Sequence, residues 1–89
     1  LRLDVFLKRT GLIRQRSLAK EICDRGSVRV DGRRAKAGKE IDCGRIITLD
    51  LRDEFIEIEV LSLPGRNYKR EAGRVCYRTI EHEYRDRLS

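Results

Sequence analysis

Across Gly26-Ser27-Val28-Arg29-Val30-Asp31-Gly32-Arg33-Arg34-Ala35 the hydrophobic pattern of the chain changes its period. Val28 and Val30 alternate with Ser27, Arg29 and Asp31, the spacing of a strand with one buried face. Asp31-Gly32 then supplies the two central residues of a tight hairpin, because a type I′ turn needs positive φ at both and Asp-Gly tolerates it. Gly26, on the near side, suits the left-handed C′ position that closes a helix. The stretch therefore reads as a helix end, a strand and a hairpin, in that order.

Toward the N-terminus the period is that of a helix. Leu18, Ala19, Ile22 and Cys23 form one apolar stripe, which predicts a helix over about Arg16 to Arg25, with Ser17 as a candidate cap. Leu3, Phe6 and Leu7, at i, i+3 and i+4, predict an earlier helix over Leu3 to Thr10. Asp4 falls in its first turn, where a negative charge suits the helix dipole, and Gly11 follows its end. Beyond the hairpin, residues 36–45 read as loop with a brief strand near Ile41 and a turn at Cys43-Gly44. Ile47, Leu49 and Leu51 line one face of a strand over Ile46 to Leu51. Ile56, Ile58 and Val60 line one face of another over Phe55 to Leu61, and Pro64-Gly65 is expected to end the sheet. Ala72, Cys76, Ile80 and Tyr84 recur every four residues, which predicts a third helix over about 70–88. The expected fold is α+β: two short N-terminal helices packed on a small, mostly antiparallel sheet, with a C-terminal helix. The expected division is a domain over 1–64 and a helical extension of it over 65–89.

Charge is unevenly placed. Residues 1–45 carry 13 Lys and Arg against 6 Asp and Glu, whereas residues 46–89 carry 8 against 9, so the whole net charge of +6 comes from the first half. Segregation of this kind points to a polyanionic partner. Arg2, Lys8, Arg14, Arg16, Lys20, Arg33, Arg34 and Lys36 lie on the polar faces or loops of the two helices and the hairpin. Arg16, near the start of the second helix, can share a phosphate with that helix's free N–H groups; Lys20 lies one turn further on, and Ser17 offers a hydroxyl. Structured RNA fits better than DNA, since no long helix is available for a major groove. An aromatic share of 6%, with no aromatics interleaved among the basic residues, argues against a stacking platform for single strands.

Nothing in the chain assembles a catalytic constellation. His82 is the single histidine, no Ser, His and Asp set is at hand, and the seven glycines stand singly at turns and caps, without a phosphate-binding loop. Cys23, Cys43 and Cys76 are odd in number with no CxxC spacing, which favours reduced cytosolic thiols over a disulfide framework or a zinc site. No apolar run approaches the roughly 20 residues of a membrane span, and Arg2, Asp4, Lys8 and Arg9 interrupt any signal-peptide pattern. No enzyme activity, cofactor or metal is expected.

Leu3-Asp4-Val5-Phe6-Leu7-Lys8, Gly11-Leu12, Arg16-Ser17-Leu18-Ala19-Lys20 and Gly26-Ser27-Val28-Arg29-Val30-Asp31-Gly32, in this order and spacing, resemble the S4-type RNA-binding domain over residues 1–51. After the later turn glycine that family usually has Asp; here Arg45 follows Gly44 and adds a positive charge. The resemblance implies that the two helices and the hairpin form one RNA-facing surface, the αL RNA-binding motif. Among stand-alone members, the opening Arg2-Leu3-Asp4 and the segment from Arg16 to Lys20-Glu21 are similar to the RqcP (YabO) ribosome quality-control group, as is the tail with Tyr77 and Glu81. That similarity implies binding to large-subunit ribosomal RNA and tRNA on the large ribosomal subunit during rescue of stalled translation. It also implies an NFACT-type tailing factor as a partner, with Arg2 and Arg16 the residues that matter most; a cytoplasmic monomer is expected. Three other expectations compete with the rescue role: a general S4-type rRNA or tRNA binder, the detached RNA-binding domain of an RNA-modifying enzyme such as a pseudouridine synthase, and a protein-interaction adaptor that uses the tail helix.

Overall fold

The computed structural model describes residues 1–65 and 76–85. Two helices, α1 (Leu3–Arg9) and α2 (Arg16–Asp24), precede five strands: β1 (Val28–Val30), β2 (Arg33–Arg34), β3 (Ile46–Asp50), β4 (Glu54–Val60) and β5 (Tyr77–Tyr84). The strands form one antiparallel sheet in the order β2-β1-β3-β4-β5. No helix among the described residues is long and apolar enough to cross a membrane.

One core serves both layers. Leu3, Phe6 and Leu7 of α1, Ala19, Ile22 and Cys23 of α2, and Val28, Val30, Ile47, Leu49, Ile56, Ile58 and Val60 of the sheet belong to a single buried cluster. The residues expected on the inner faces are therefore inside, except Leu51, which lies one residue past β3 and is only partly buried, and Leu18. Leu18, read as part of the α2 stripe, is 40% exposed. It lies at the stripe's margin, about 100° before Ala19 on the helix, and a helix of nine residues buries only the line of Ala19, Ile22 and Cys23. The hairpin turn is as expected: Asp31 has φ 52° and Gly32 φ 83°. Gly26, at φ 79°, stops α2.

The linker over residues 35–41 has a structural task that its loop-like sequence hides. Ala35, Ala37 and Ile41 are buried. The carbonyls of Lys39 and Ala37 accept the backbone N–H groups of Leu3 (2.8 Å) and Asp4 (3.1 Å). The first turn of a helix has N–H groups without intrahelical partners; here the linker satisfies two of them and fixes α1 against the hairpin. An isolated bridge between Arg2 and Glu40 extends the same junction.

The C-terminal expectation is corrected over Tyr77–Tyr84, which form a strand and not a helix. The sheet accordingly does not end at Pro64-Gly65. A repeat every four residues is near the helical 3.6 but is also a multiple of the strand period of two, and Tyr, Thr and Ile along this segment favour the extended form. β4 also offers a charged edge that only a strand can use in register. Arg78 pairs with Glu59 (2.7 Å) and His82 with Glu54 (2.7 Å). Just past the strand, Arg85 pairs with Asp50 (2.7 Å). The remainder of the expected helix, over 70–75 and 86–88, lies outside the described residues. Cys76, immediately before β5, is buried, and Arg9 of α1 donates to the Pro64 carbonyl at 3.2 Å, so the chain after β4 is tied back to the helices.

Candidate nucleic-acid interface

The site is organised around a buried acid. Asp4 is fully buried, in the first turn of α1. Its Oδ1 accepts hydrogen bonds from Arg2 Nε (3.1 Å) and from the Val5 backbone N–H (2.9 Å). Its Oδ2 accepts from Arg16 Nε (3.1 Å) and Arg2 Nη2 (3.4 Å). Burial raises the Asp4 pKa; the hydrogen bonds and charges of Arg2 and Arg16 more than reverse this, and the carboxyl lies below its ordinary range. Asp4 is therefore an anion at neutral pH, and it holds two guanidiniums from two different elements side by side. Both arginines remain about half exposed, at 45% and 53% of their side chains. Each guanidinium has five N–H donors and spends only one or two on Asp4, so donors and a net positive charge face outward.

Arg16 opens α2, and Lys20, four residues on, is exposed on the same face. Ser17 is also exposed, but it is not the cap: the N-cap is Gln15, with no side-chain capping bond, and the Ser17 hydroxyl is 3.5 Å from Gln15 Oε1. Lys8, in the last turn of α1, and Arg14, in the connector between the helices, are exposed. Neither makes a hydrogen bond to the Arg2–Asp4–Arg16 cluster, whose Asp4 already accepts four.

The hairpin contributes a second basic feature. Arg33, Arg34 and Lys36 line a groove of about 850 Å³ together with Lys39 and Arg45. The Arg34 guanidinium lies across Gly26, where any side chain would collide with it. Sequence reasoning missed Lys39 as a site residue, because it sits in a stretch without periodicity, and noted Arg45 only as an added charge. Arg45 Nη1 pairs with Asp31 Oδ2 at 2.9 Å, which turns it toward the hairpin. Two facts join groove and clamp. Lys39 and Ala37 hold the start of α1 through their carbonyls. Gly38, a lining residue of the groove, lies against Arg2, whose Nη2 would be 3.7 Å from a Cβ at that position.

The segment that carries this constellation matches a known family. The family model described as "S4 domain" matches residues 1–47, the segment that holds the Arg2–Asp4–Arg16 cluster, the hairpin and the linker. The chain belongs to the S4 domain family. It is 34% identical over 83 residues to the RQC P-site tRNA stabilizing factor of Bacillus subtilis, covering 93% of this chain and 95% of that relative. It is 38% identical over 65 residues to the protein of the same name in Helicobacter pylori, covering 73% and 77%. A trimeric structure of Heat Shock Protein 15 from Vibrio cholerae superposes with a TM-score of 0.77 at 29% identity, over 89% of this chain and 80% of that one. The resemblance to the RqcP group, read from the opening residues and the start of the second helix, is met by these relatives. In this S4 domain the basic half of the sequence and the family match are the same segment.

Proposed function

We propose that this protein is a non-catalytic RNA-binding protein that docks structured RNA on the face built by α1, α2 and the β1–β2 hairpin. Its place is the large ribosomal subunit, where it acts on tRNA during rescue of stalled translation; its relatives are named RQC P-site tRNA stabilizing factors. The observation that carries this reading is the Arg2–Asp4–Arg16 cluster: two half-exposed guanidiniums preorganised by one buried carboxylate, within the matched segment. A pair held ready in this way binds a phosphate without first losing side-chain freedom. Lys20, Lys8, Arg14 and Ser17 extend the contact along the helices, and Arg33, Arg34 and Lys36 extend it to the hairpin. In this reading the partners are large-subunit ribosomal RNA, tRNA and an NFACT-type tailing factor, and the protein is a cytoplasmic monomer that needs no cofactor.

The test is co-sedimentation. The protein is expected to enrich on free large subunits that carry peptidyl-tRNA, and the Lys8→Ala/Arg14→Ala/Lys20→Ala variant, whose three side chains are exposed and outside the Asp4 cluster, to lose most of that enrichment while melting at a similar temperature. Equal occupancy of every ribosomal particle would favour a general S4-type RNA binder. The detached domain of an RNA-modifying enzyme is less well supported, because the Bacillus subtilis relative is itself matched over 95% of its length.

A further inference from the structure

The two edges of the sheet are finished differently. β2 is two residues long, both of them arginines, and offers little backbone to a neighbour. β5 is the longest strand, eight residues, and pairs only with β4; among the described residues no strand lies beyond it. Alternate N–H and C=O groups on its free side therefore have no strand partner. Tyr77–Tyr84 contain neither proline nor lysine, the residues that most often blunt such an edge, and a bulge is the sole interruption. Glu57 pairs with Glu81 and Ile58 with Thr79, so Ile80 is left between them, 42% exposed. Beyond the bulge, Glu81 to Tyr84 stay in continuous register with Glu57 to Glu54.

The side chains along this stretch say what the edge would accept. Glu81 and Glu83 lie on one face of the sheet, His82 and Tyr84 on the other. His82 is engaged by Glu54 at 2.7 Å. Glu81 and Glu83 are exposed and make no ion pair among the described residues. Glu81 also stands opposite Glu57, a like-charge pair that a cation from a further strand would relieve. On the other face the Tyr84 ring, 77% exposed, suits a β-branched or aromatic neighbour. The same end of the sheet already receives one cation from its own chain: Arg85 pairs with Asp50 (2.7 Å), donates to the Leu51 carbonyl (2.8 Å) and lies 5.8 Å over the Phe55 ring. RNA is a poor occupant, because its phosphates would meet unneutralised carboxylates.

We propose that the β5 edge over Glu81–Tyr84 takes an extended protein segment as a sixth strand, one in which lysine or arginine alternates with β-branched or aromatic residues. Its backbone would pair with the free side of β5, its cations with Glu81 and Glu83, and its apolar side chains with the Tyr84 ring. Backbone pairing supplies affinity for any extended chain; the alternating carboxylates select a basic one. The site does not depend on the RNA reading above. β2 and β5 are opposite edges of one sheet, so the protein can hold RNA at the hairpin and a protein segment at β5 together.

The experiment uses the full chain and three short synthetic peptides. In the first lysine alternates with valine, in the second glutamate alternates with valine, and the third is the lysine peptide N-methylated at the amides that would face β5. The lysine peptide is expected to bind about tenfold or more tightly than either of the others. Hydrogen exchange is expected to slow at the free-side amides of β5 when it is added and to stay unchanged in β2. Glu81→Lys/Glu83→Lys, which alters two exposed residues outside the RNA face, should lose about tenfold in affinity for the lysine peptide and none for a paired RNA stem. Equal binding of the N-methylated peptide would mean charge attraction without an added strand and would overturn the proposal. So would protection confined to residues outside β5, or no binding of the lysine peptide at millimolar concentration. Slowing of β5 exchange with rising protein concentration, in the absence of peptide, would assign the edge to a second copy of the chain instead.

Discussion

Asp4 shows what a single residue contributes here that its position in the sequence does not announce. A carboxylate in the first turn of a helix is expected to face solvent and favour the dipole, but this one is fully buried and binds arginines two and twelve residues away. Arg2 and Arg16 themselves were legible, from charge and from the ordered resemblance. Their pairing was not, because it depends on how α1 and α2 cross. Two measurements address it. Asp4→Ala should cost about 1–3 kcal/mol in chemical denaturation, the penalty for removing a buried, hydrogen-bonded group, with the half-exposed arginines free to turn to water. Asp4→Asn isolates the charge. The folded carboxyl has a depressed pKa, so its stabilisation is complete above the unfolded value near 3.8 and is lost as pH falls toward the folded value. The stability gap between wild type and Asp4→Asn should therefore be flat from pH 7 to 5 and narrow as pH falls below the unfolded value near 3.8; a gap that does not narrow below that value would refute the charged pairing. The cysteines give a further residue-scale prediction. Burial, with Asp4 and Asp24 nearby, pushes the Cys23 thiol up to about 11, and Cys76 is buried, whereas Cys43 is exposed. A thiol reagent at pH 7.5 should label Cys43 rapidly and the other two only on unfolding.

At the scale of elements, the helices, β1, β3 and β4 were legible because their periods are unambiguous, β2 because Asp31-Gly32 announces a hairpin, and β5 was not because a four-residue repeat satisfies both periods. What decides β5 lies outside its own sequence. β4 carries Glu54 and Glu59, and β5 brings His82 and Arg78 to them. Its own side chains are almost all exposed, so burial contributes little. One pairing works against it: Glu57 stands directly opposite Glu81, next to the irregularity at Glu57/Ile58. The strand is thus held mainly by backbone pairing and cross-strand charge. Arg78→Glu should destabilise the protein by about 0.5–1 kcal/mol, the usual scale of an exposed cross-strand pair set against a repulsive one. Adding Glu59→Arg should recover most of that loss, and amide exchange along β5 should rise and fall in parallel. Full stability in the single variant would mean that the charges do not hold the strand.

Across the whole molecule, the two edges of the sheet face different environments. β2, with the basic groove, is at one edge and β5, with Glu81 and Glu83, at the other. Four strand spacings separate them, about 19 Å at ~4.8 Å each. The screening length at physiological ionic strength is about 8 Å, so the acidic edge neither cancels the field over the clamp nor repels an RNA docked there. Charge segregation visible as a count along the chain thus becomes segregation in space, because the sheet order places the hairpin farthest from the C-terminal strand. This yields a paired prediction. With about four phosphates neutralised, log K should fall against log salt with a slope near −3 to −4. Reversing Arg16 and Lys20 together should weaken binding and flatten the slope by about 2, one for each lost phosphate contact. Reversing Glu81 and Glu83 to lysine changes the net charge by twice as much per residue as neutralisation would, yet should leave the slope where it was, since neither side chain reaches the RNA. If both reversals moved the slope equally, net charge and not a localised face would govern binding.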